Sequence, residues 1–150
     1  MNFFTLRKNI QIALSLTIPI LLYGCGGGGS GGTTNDVVVN VPSVAITAAG
    51  NGVFVVKGNN LEKVGGIDLT VTYDNSNLAS PTVTQGGLIA GAMMMPNTSL
   101  PGAVRIAVIS TSGISGDGEI ATITFAVATE VGTVSLASLK MINVNGRQIL

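Results

Sequence analysis

The groups in this sequence that could move a proton, attack a carbonyl or hold a metal are few, and they are badly spaced for all three tasks. The chain has seven carboxylates (Asp36, Glu62, Asp68, Asp74, Asp117, Glu119 and Glu130), one thiol (Cys25) and no histidine. Without an imidazole there is no Ser-His-Asp or Cys-His relay and no His-ligated metal. A glycosidase needs two carboxyl groups held about 5–10 Å apart across a cleft. Asp117 and Glu119 are close enough to share a strand face, but Gly116-Asp117-Gly118 reads better as a turn. No Asp-x-Asp-x-Asp-Gly calcium loop is present. The basic residues are too sparse for nucleic acid. These residues predict no enzyme, no cofactor and no metal, which leaves a binding module.

The elements that would position such a module are strands. Residues 67–73 alternate strictly, with Ile67, Leu69, Val71 and Tyr73 on one side and Asp68, Thr70 and Thr72 on the other. That period of two marks a strand with one face in a core and one in water. The run stops at Asp74-Asn75-Ser76-Asn77, whose side chains hydrogen-bond their own backbone and favour a turn. Leu78 follows as an apolar plug. Further strands are predicted over 37–41, 44–48, 53–57, 82–84, 104–109, 119–127 and 134–139, and in a tail from 141 that includes 148–150. Gly50-Asn51-Gly52, Gly58-Asn59-Asn60, Gly86-Gly87, Pro101-Gly102, Gly116-Asp117-Gly118 and Asn145-Gly146 separate them. No segment sustains a helical period. Many short strands punctuated in this way predict an antiparallel sandwich or barrel. Its inward set is Ile67, Leu69, Val71, Tyr73, Leu78, Val104, Ile106, Val108, Ala121, Ile123, Phe125, Val127, Val134 and Leu136.

Two pieces of the sequence resemble the cohesin domain, the dockerin-binding module of cellulosome scaffolds. One is the strand Gly66-Ile67-Asp68-Leu69-Thr70-Val71-Thr72-Tyr73-Asp74 with its turn and Leu78. The other is Asp117-Gly118-Glu119-Ile120-Ala121-Thr122-Ile123-Thr124-Phe125-Ala126-Val127. The resemblance spans most of residues 37–150 and implies an all-β fold, an antiparallel jelly-roll β-sandwich. It also implies a face for a dockerin-like protein partner on the outward side of 67–73. Asp68 matches an aspartate that hydrogen-bonds the dockerin in such cohesins. Thr70 and Thr72 lie on the same side, and Ser110 and Ser112 match a polar stretch on the adjoining part of that face. The plain alternative is that these are ordinary solvent-side residues of a sheet.

Residues 1–24 read as a targeting segment rather than structure. Arg7 and Lys8 precede a mostly apolar run from Ile10 to Leu22, which is short for a membrane span of about 20 residues. Leu22-Tyr23-Gly24-Cys25 resembles the lipobox of bacterial lipoproteins, which implies cleavage before Cys25 and lipidation of its thiol. An ordinary signal peptide with an incidental cysteine, or an uncleaved anchor, remains the alternative. Cys25 is the sole cysteine, so no internal disulfide can form. Gly26 rather than Asp follows it, which implies the outer membrane if the host is Gram-negative. The rest of 25–35 is Gly-rich, a flexible tether with a root-mean-square reach of roughly 17 Å. Residues 36–150 form the domain.

Three features complete the reading. Met93-Met94-Met95 before Pro96 is expected to be a buried connection, with an adaptable contact patch as the alternative. Ile120 alternates outward with Thr122 and Thr124, as exposed contact area or under a loop. Asn97-Thr98-Ser99 fits a glycosylation acceptor pattern that carries no meaning in a bacterial lipoprotein. The expected function is a surface-tethered protein-docking module linked to polysaccharide breakdown. The alternatives are a polysaccharide-binding module and a structural lipoprotein with no discrete ligand. Sugar platforms lean on exposed Trp and Tyr, whereas Trp is absent here and Tyr73 reads as inward. The lipid-anchor expectation has a direct check. Cys25→Ser is expected to release the protein from the membrane fraction or leave it unprocessed, and unchanged retention with normal processing would refute the anchor.

Overall fold

The alternation over 67–73 is realised in a computed structural model, which describes residues 40–128 and 132–150. The targeting segment, Cys25, the tether and residues 37–39 of the first expected strand lie outside the described residues, as do Glu130 and the side chain of Val127. Six strands follow in order: β1 (Ser43–Gly50), β2 (Val53–Tyr73), β3 (Leu78–Gln85), β4 (Met93–Asn97), β5 (Ala103–Ala128) and β6 (Val134–Asn143). One 3-10 turn, Gly87–Ile89, links β3 to β4, and no α-helix occurs among the described residues. All the pairings are antiparallel.

The expected segments 53–57 and 67–73 are one strand, β2, and 104–109 and 119–127 are likewise one strand, β5. The glycine clusters between them do not reverse the chain. They bend two paired strands together, with Gly58 opposite Gly118 and Leu61 opposite Gly116, and the register shifts on both sides. Gly116 sits at φ 101°, a backbone conformation that only glycine adopts without strain. Two side chains stitch this corner. The Asn60 N–H donates to Asp117 Oδ1 at 2.6 Å, and the Lys63 N–H donates to Ser115 Oγ at 2.9 Å.

Bending divides the structure into two four-stranded layers that share β2 and β5. In one layer, β1 pairs the first part of β2, and β3 pairs the last part of β5. In the other, β6 pairs the last part of β2, and β4 pairs the first part of β5. Between the layers lies one core containing Phe54, Val56, Leu69, Val71, Val104, Ile106, Ile123 and Phe125. Phe125 of the first layer stands 4.8 Å from Tyr73 of the second, centroid to centroid, and 5.8 Å from Phe54. This is the expected jelly-roll sandwich.

The inward set is buried as expected at Ile67, Leu69, Val71, Leu78, Val104, Ile106, Val108, Ala121, Ile123 and Phe125, with Tyr73, Val134 and Leu136 half-buried against them. The turn before Leu78 also forms. Asp74 Oδ1 accepts from the Ser76 N–H at 3.0 Å and from Ser76 Oγ at 2.5 Å, and the Leu78 N–H donates to the Asp74 carbonyl at 2.9 Å.

Three expectations change. Ile120 is fully buried, because Val56 pairs with Ala121 and Lys57 with Glu119, leaving Ile120 as the extra residue of a β-bulge. Ile120 and Ala121 therefore both enter the core. Met93–Asn97 is an edge strand and not a buried connection. Strand alternation sends Met94 inward and leaves Met93 and Met95 63% and 47% exposed. Asn40 and Val41 are outside any strand, and the 148–150 tail forms no full strand but runs beside β6, bridging Gln148 to Ile142 and exchanging backbone bonds between Met141 and Ile149–Leu150.

The packing yields a matched pair of substitutions. Leu69→Ala opens a cavity in a fully buried site and is expected to lower stability by about 2–5 kcal/mol. Thr70→Ala, one residue along on the solvent side, is expected to stay within about 0.5 kcal/mol. Urea unfolding of both variants checks the assignment of faces.

Candidate partner-binding face

The outward side of the second layer is a four-strand surface in the order β6, β2, β5, β4, and its register sets which side chains are neighbours. Asp68 lies opposite Lys140 on β6 and Ala107 on β5, and Ala107 lies opposite Met95 on β4. One row along, Thr70 lies opposite Ser138 and Arg105, with Arg105 opposite Asn97. In the other direction Gly66 lies opposite Ile142 and Ile109, and Ile109 opposite Met93. Thr72 closes the face beside Ser135 and Ala103.

The face has an apolar end and a charged middle. Ile109 is 53% exposed and sits beside the exposed Met93 and Met95. Gly66, Asp68, Ala107, Ile109, Lys140 and Ile142 line a shallow depression over β2. Its floor depends on Gly66, because a Cβ there would come within 2.9 Å of Ile142 Cγ1. Ile142 leans over the glycine, and any larger residue would push it away.

Asp68 is not free. Arg105 reaches diagonally across the β2–β5 ladder and grips it with two parallel bonds, Nε to Oδ1 at 3.0 Å and Nη2 to Oδ2 at 2.5 Å. Such a fork suits the planar guanidinium, and both groups remain open to solvent. These hydrogen bonds hold the Asp68 carboxyl below its ordinary value, aided by the charges of Arg105 and Lys140. The same pair pushes the Arg105 guanidinium up.

Asp68, Thr70 and Thr72 therefore share the expected face. Ser110 and Ser112 do not join them. Along β5 the inward positions run Val104, Ile106, Val108 and then Ser110, which is buried on the core side with its Oγ 3.3 Å from Ser112 Oγ. Ser112 is exposed, but it lies past Ile109, where the ladder with β2 breaks before resuming at Ile114. The residues that do flank Asp68 are Arg105, Ile109, Met95 and Lys140, of which the sequence raises only Met95, in the alternative of a contact patch at Met93-Met94-Met95. The signal was present for Arg105 and Ile109. Both alternate with the buried triplet Val104, Ile106 and Val108, so both must point away from the core.

Two further carboxylates are occupied structurally. Asp117 caps the corner through Asn60, and Glu119 accepts from Thr122 Oγ1. Among the described residues no group of three His, Cys, Asp or Glu side chains is placed to hold a metal.

The Asp68–Arg105 pair can be tested by titration. Asp68 should lose its charge at a lower pH than an ordinary aspartate, and Arg105→Ala should move its midpoint upward toward the usual value. Because the folded-state value is depressed, the pair contributes stability above the ordinary aspartate range and loses it as pH falls through the lowered one. Carboxyl-carbon NMR of Asp68 in the two proteins reads the shift, and identical midpoints would disprove the pairing in solution.

Comparison with known proteins agrees with this geometry. The family model of the cohesin domain matches residues 36–145. Among solved structures, the chain is similar to a non-cellulosomal cohesin from the hyperthermophilic archaeon Archaeoglobus fulgidus, with a TM-score of 0.63 and 23% identity over 73% of this chain and 83% of that one. It is also similar to the sixth cohesin of Acetivibrio cellulolyticus scaffoldin B, solved with a Cel5 dockerin mutant, with a TM-score of 0.65 and 22% identity over 73% and 92% of the two chains. A third is the cohesin of a type I cohesin–dockerin complex from Clostridium thermocellum, with a TM-score of 0.64 and 14% identity over 74% and 92%. No curated protein sequence matches the chain. With its family match spanning most of the sequence and a face built on the β6–β2–β5–β4 layer, this chain belongs to the cohesin family of non-catalytic protein-binding modules.

Proposed function

We propose that this protein is a membrane-tethered docking module that holds a dockerin-bearing protein through the outward face of β6, β2, β5 and β4. The observation that carries the reading is the surface around Asp68. An antiparallel layer presents Ile109, Met93 and Met95 at one end, the charged Asp68, Arg105 and Lys140 in its middle, and Thr70, Thr72, Ser135 and Ser138 toward the other end. Exposed apolar side chains set beside polar and charged ones are the material of protein–protein interfaces. Two of the similar cohesins are solved in complexes with dockerins, which supports the partner class. A polysaccharide platform gains no such support. Phe54, Tyr73 and Phe125 are the aromatic residues among those described, and all three pack in or against the core.

The tether follows from the Leu22-Tyr23-Gly24-Cys25 lipobox and the glycine-rich stretch behind it. A lipidated cysteine would place the domain outside the cytoplasm on a bacterial membrane, the outer one in a Gram-negative host. Its cargo would then be dockerin-bearing enzymes of polysaccharide breakdown, held at the cell surface.

Binding of the intact chain, in detergent, to a panel of immobilised dockerin modules tests the docking reading. Ile109→Asp places a charge in the apolar end of the face and is expected to weaken any binding by at least about thirtyfold, the scale of an interface hot spot of about 2 kcal/mol. Thr84→Ala, on β3 in the other layer, is expected to change nothing. Equal binding by both variants would move the site elsewhere.

A further inference from the structure

We infer that the partner surface fitted by this face is acidic and aliphatic, carrying a carboxylate toward Lys140 and Arg105 beside an apolar side chain seated over Gly66 between Ile109 and Ile142. The inference rests on the docking reading and gives the partner's chemistry.

The charge balance of the face leads to it. Three ionised groups point outward from this layer: Asp68, Arg105 and Lys140. The first two neutralise each other, since each oxygen of Asp68 accepts one bond from the guanidinium. A basic or hydroxyl-bearing partner that sought Asp68 would have to compete with an intramolecular fork that is already formed. Lys140 lies directly across the ladder from Asp68, is exposed, and has no ion-pair or hydrogen-bond partner among the described residues. Arg105 spends two of its five N–H donors on Asp68 and is 64% exposed, so its outer edge still offers donors. The uncompensated charge of the face is therefore positive.

The shape supplies the second half. The depression over Gly66 lies between Ile109 and Ile142 and opens directly beside Asp68 and Lys140. A side chain entering it meets aliphatic walls, while an acidic neighbour one or two residues away would reach the ammonium of Lys140. Complementary charges across an interface steer encounter and select among partners.

A display experiment separates this inference from the docking reading. A phage library of dockerin modules with randomised surface positions is selected on the intact chain in detergent. The selected binders are then tested against Lys140→Glu, Asp68→Ala and Ile109→Asp. The expected binders are enriched in Asp and Glu, lose at least tenfold in affinity on Lys140→Glu, and keep or gain affinity on Asp68→Ala, which frees Arg105. Binders enriched in Lys or Arg that weaken on Asp68→Ala and fail on Ile109→Asp would overturn the acidic partner and leave the docking face standing. Binders indifferent to all three substitutions, or no binders at all, would overturn both.

Discussion

The antiparallel ladder between β2 and β5 runs from Val53 opposite Thr124 to Thr72 opposite Ala103, and every other strand hydrogen-bonds to one of these two. β1 and β6 attach to β2, while β3 and β4 attach to β5. A pair of strands this long cannot stay in one plane, because sheets twist with a fixed hand. The chain meets that constraint at Gly58, Gly116 and Gly118, where opposed glycines and register shifts let both strands turn the corner together. Two layers with one core between them are the consequence.

That corner also explains where polar groups are used for structure. A bend leaves backbone donors without ladder partners, and a buried or half-buried donor must find another acceptor. Asp117 and Ser115 supply two, to Asn60 and Lys63. The carboxylate that most resembled half of a catalytic pair is thus committed to holding the fold. The bulge at Ile120 works in the same region by a different route, since an extra residue rotates the strand so that two successive apolar side chains enter the core.

On the second layer the same ladder produces a surface. With Val104, Ile106, Val108, Ile67, Leu69 and Val71 fixed in the core, the intervening side chains have no choice but to form a flat outward array. Arg105 and Asp68 sit diagonally across it, close enough for a forked ion pair. An exposed pair of this kind adds little to stability. Its larger effect is on recognition, because it compensates the charge of Asp68 and leaves Lys140 as the uncompensated charge.

Much of this was legible locally. The alternation of 67–73, the Asp74 turn and the triplet Val104, Ile106 and Val108 each declare strand and face within a few residues, because side-chain direction in a strand depends only on parity. The family resemblance and the side on which Asp68, Thr70 and Thr72 emerge came from the same signal. Parity also carries through to Ser110, which places it on the core side. It fails where the period breaks: at the glycine corner, at the Ile120 bulge, and in Val53-Phe54-Val55-Val56, where every residue is apolar. There, burial of Phe54, Val56, Leu61, Val64 and Ile114 was decided by cross-strand register. Whether Met93-Met94-Met95 lay beneath the sheet or along its edge depended on which strand it paired with. The sequence by itself determined the runs 67–73 and 104–109 as strands and fixed their two faces. Only the tertiary structure decided that Arg105 would close on Asp68, because that contact joins residues 37 apart in the chain and exists only once β2 and β5 lie side by side.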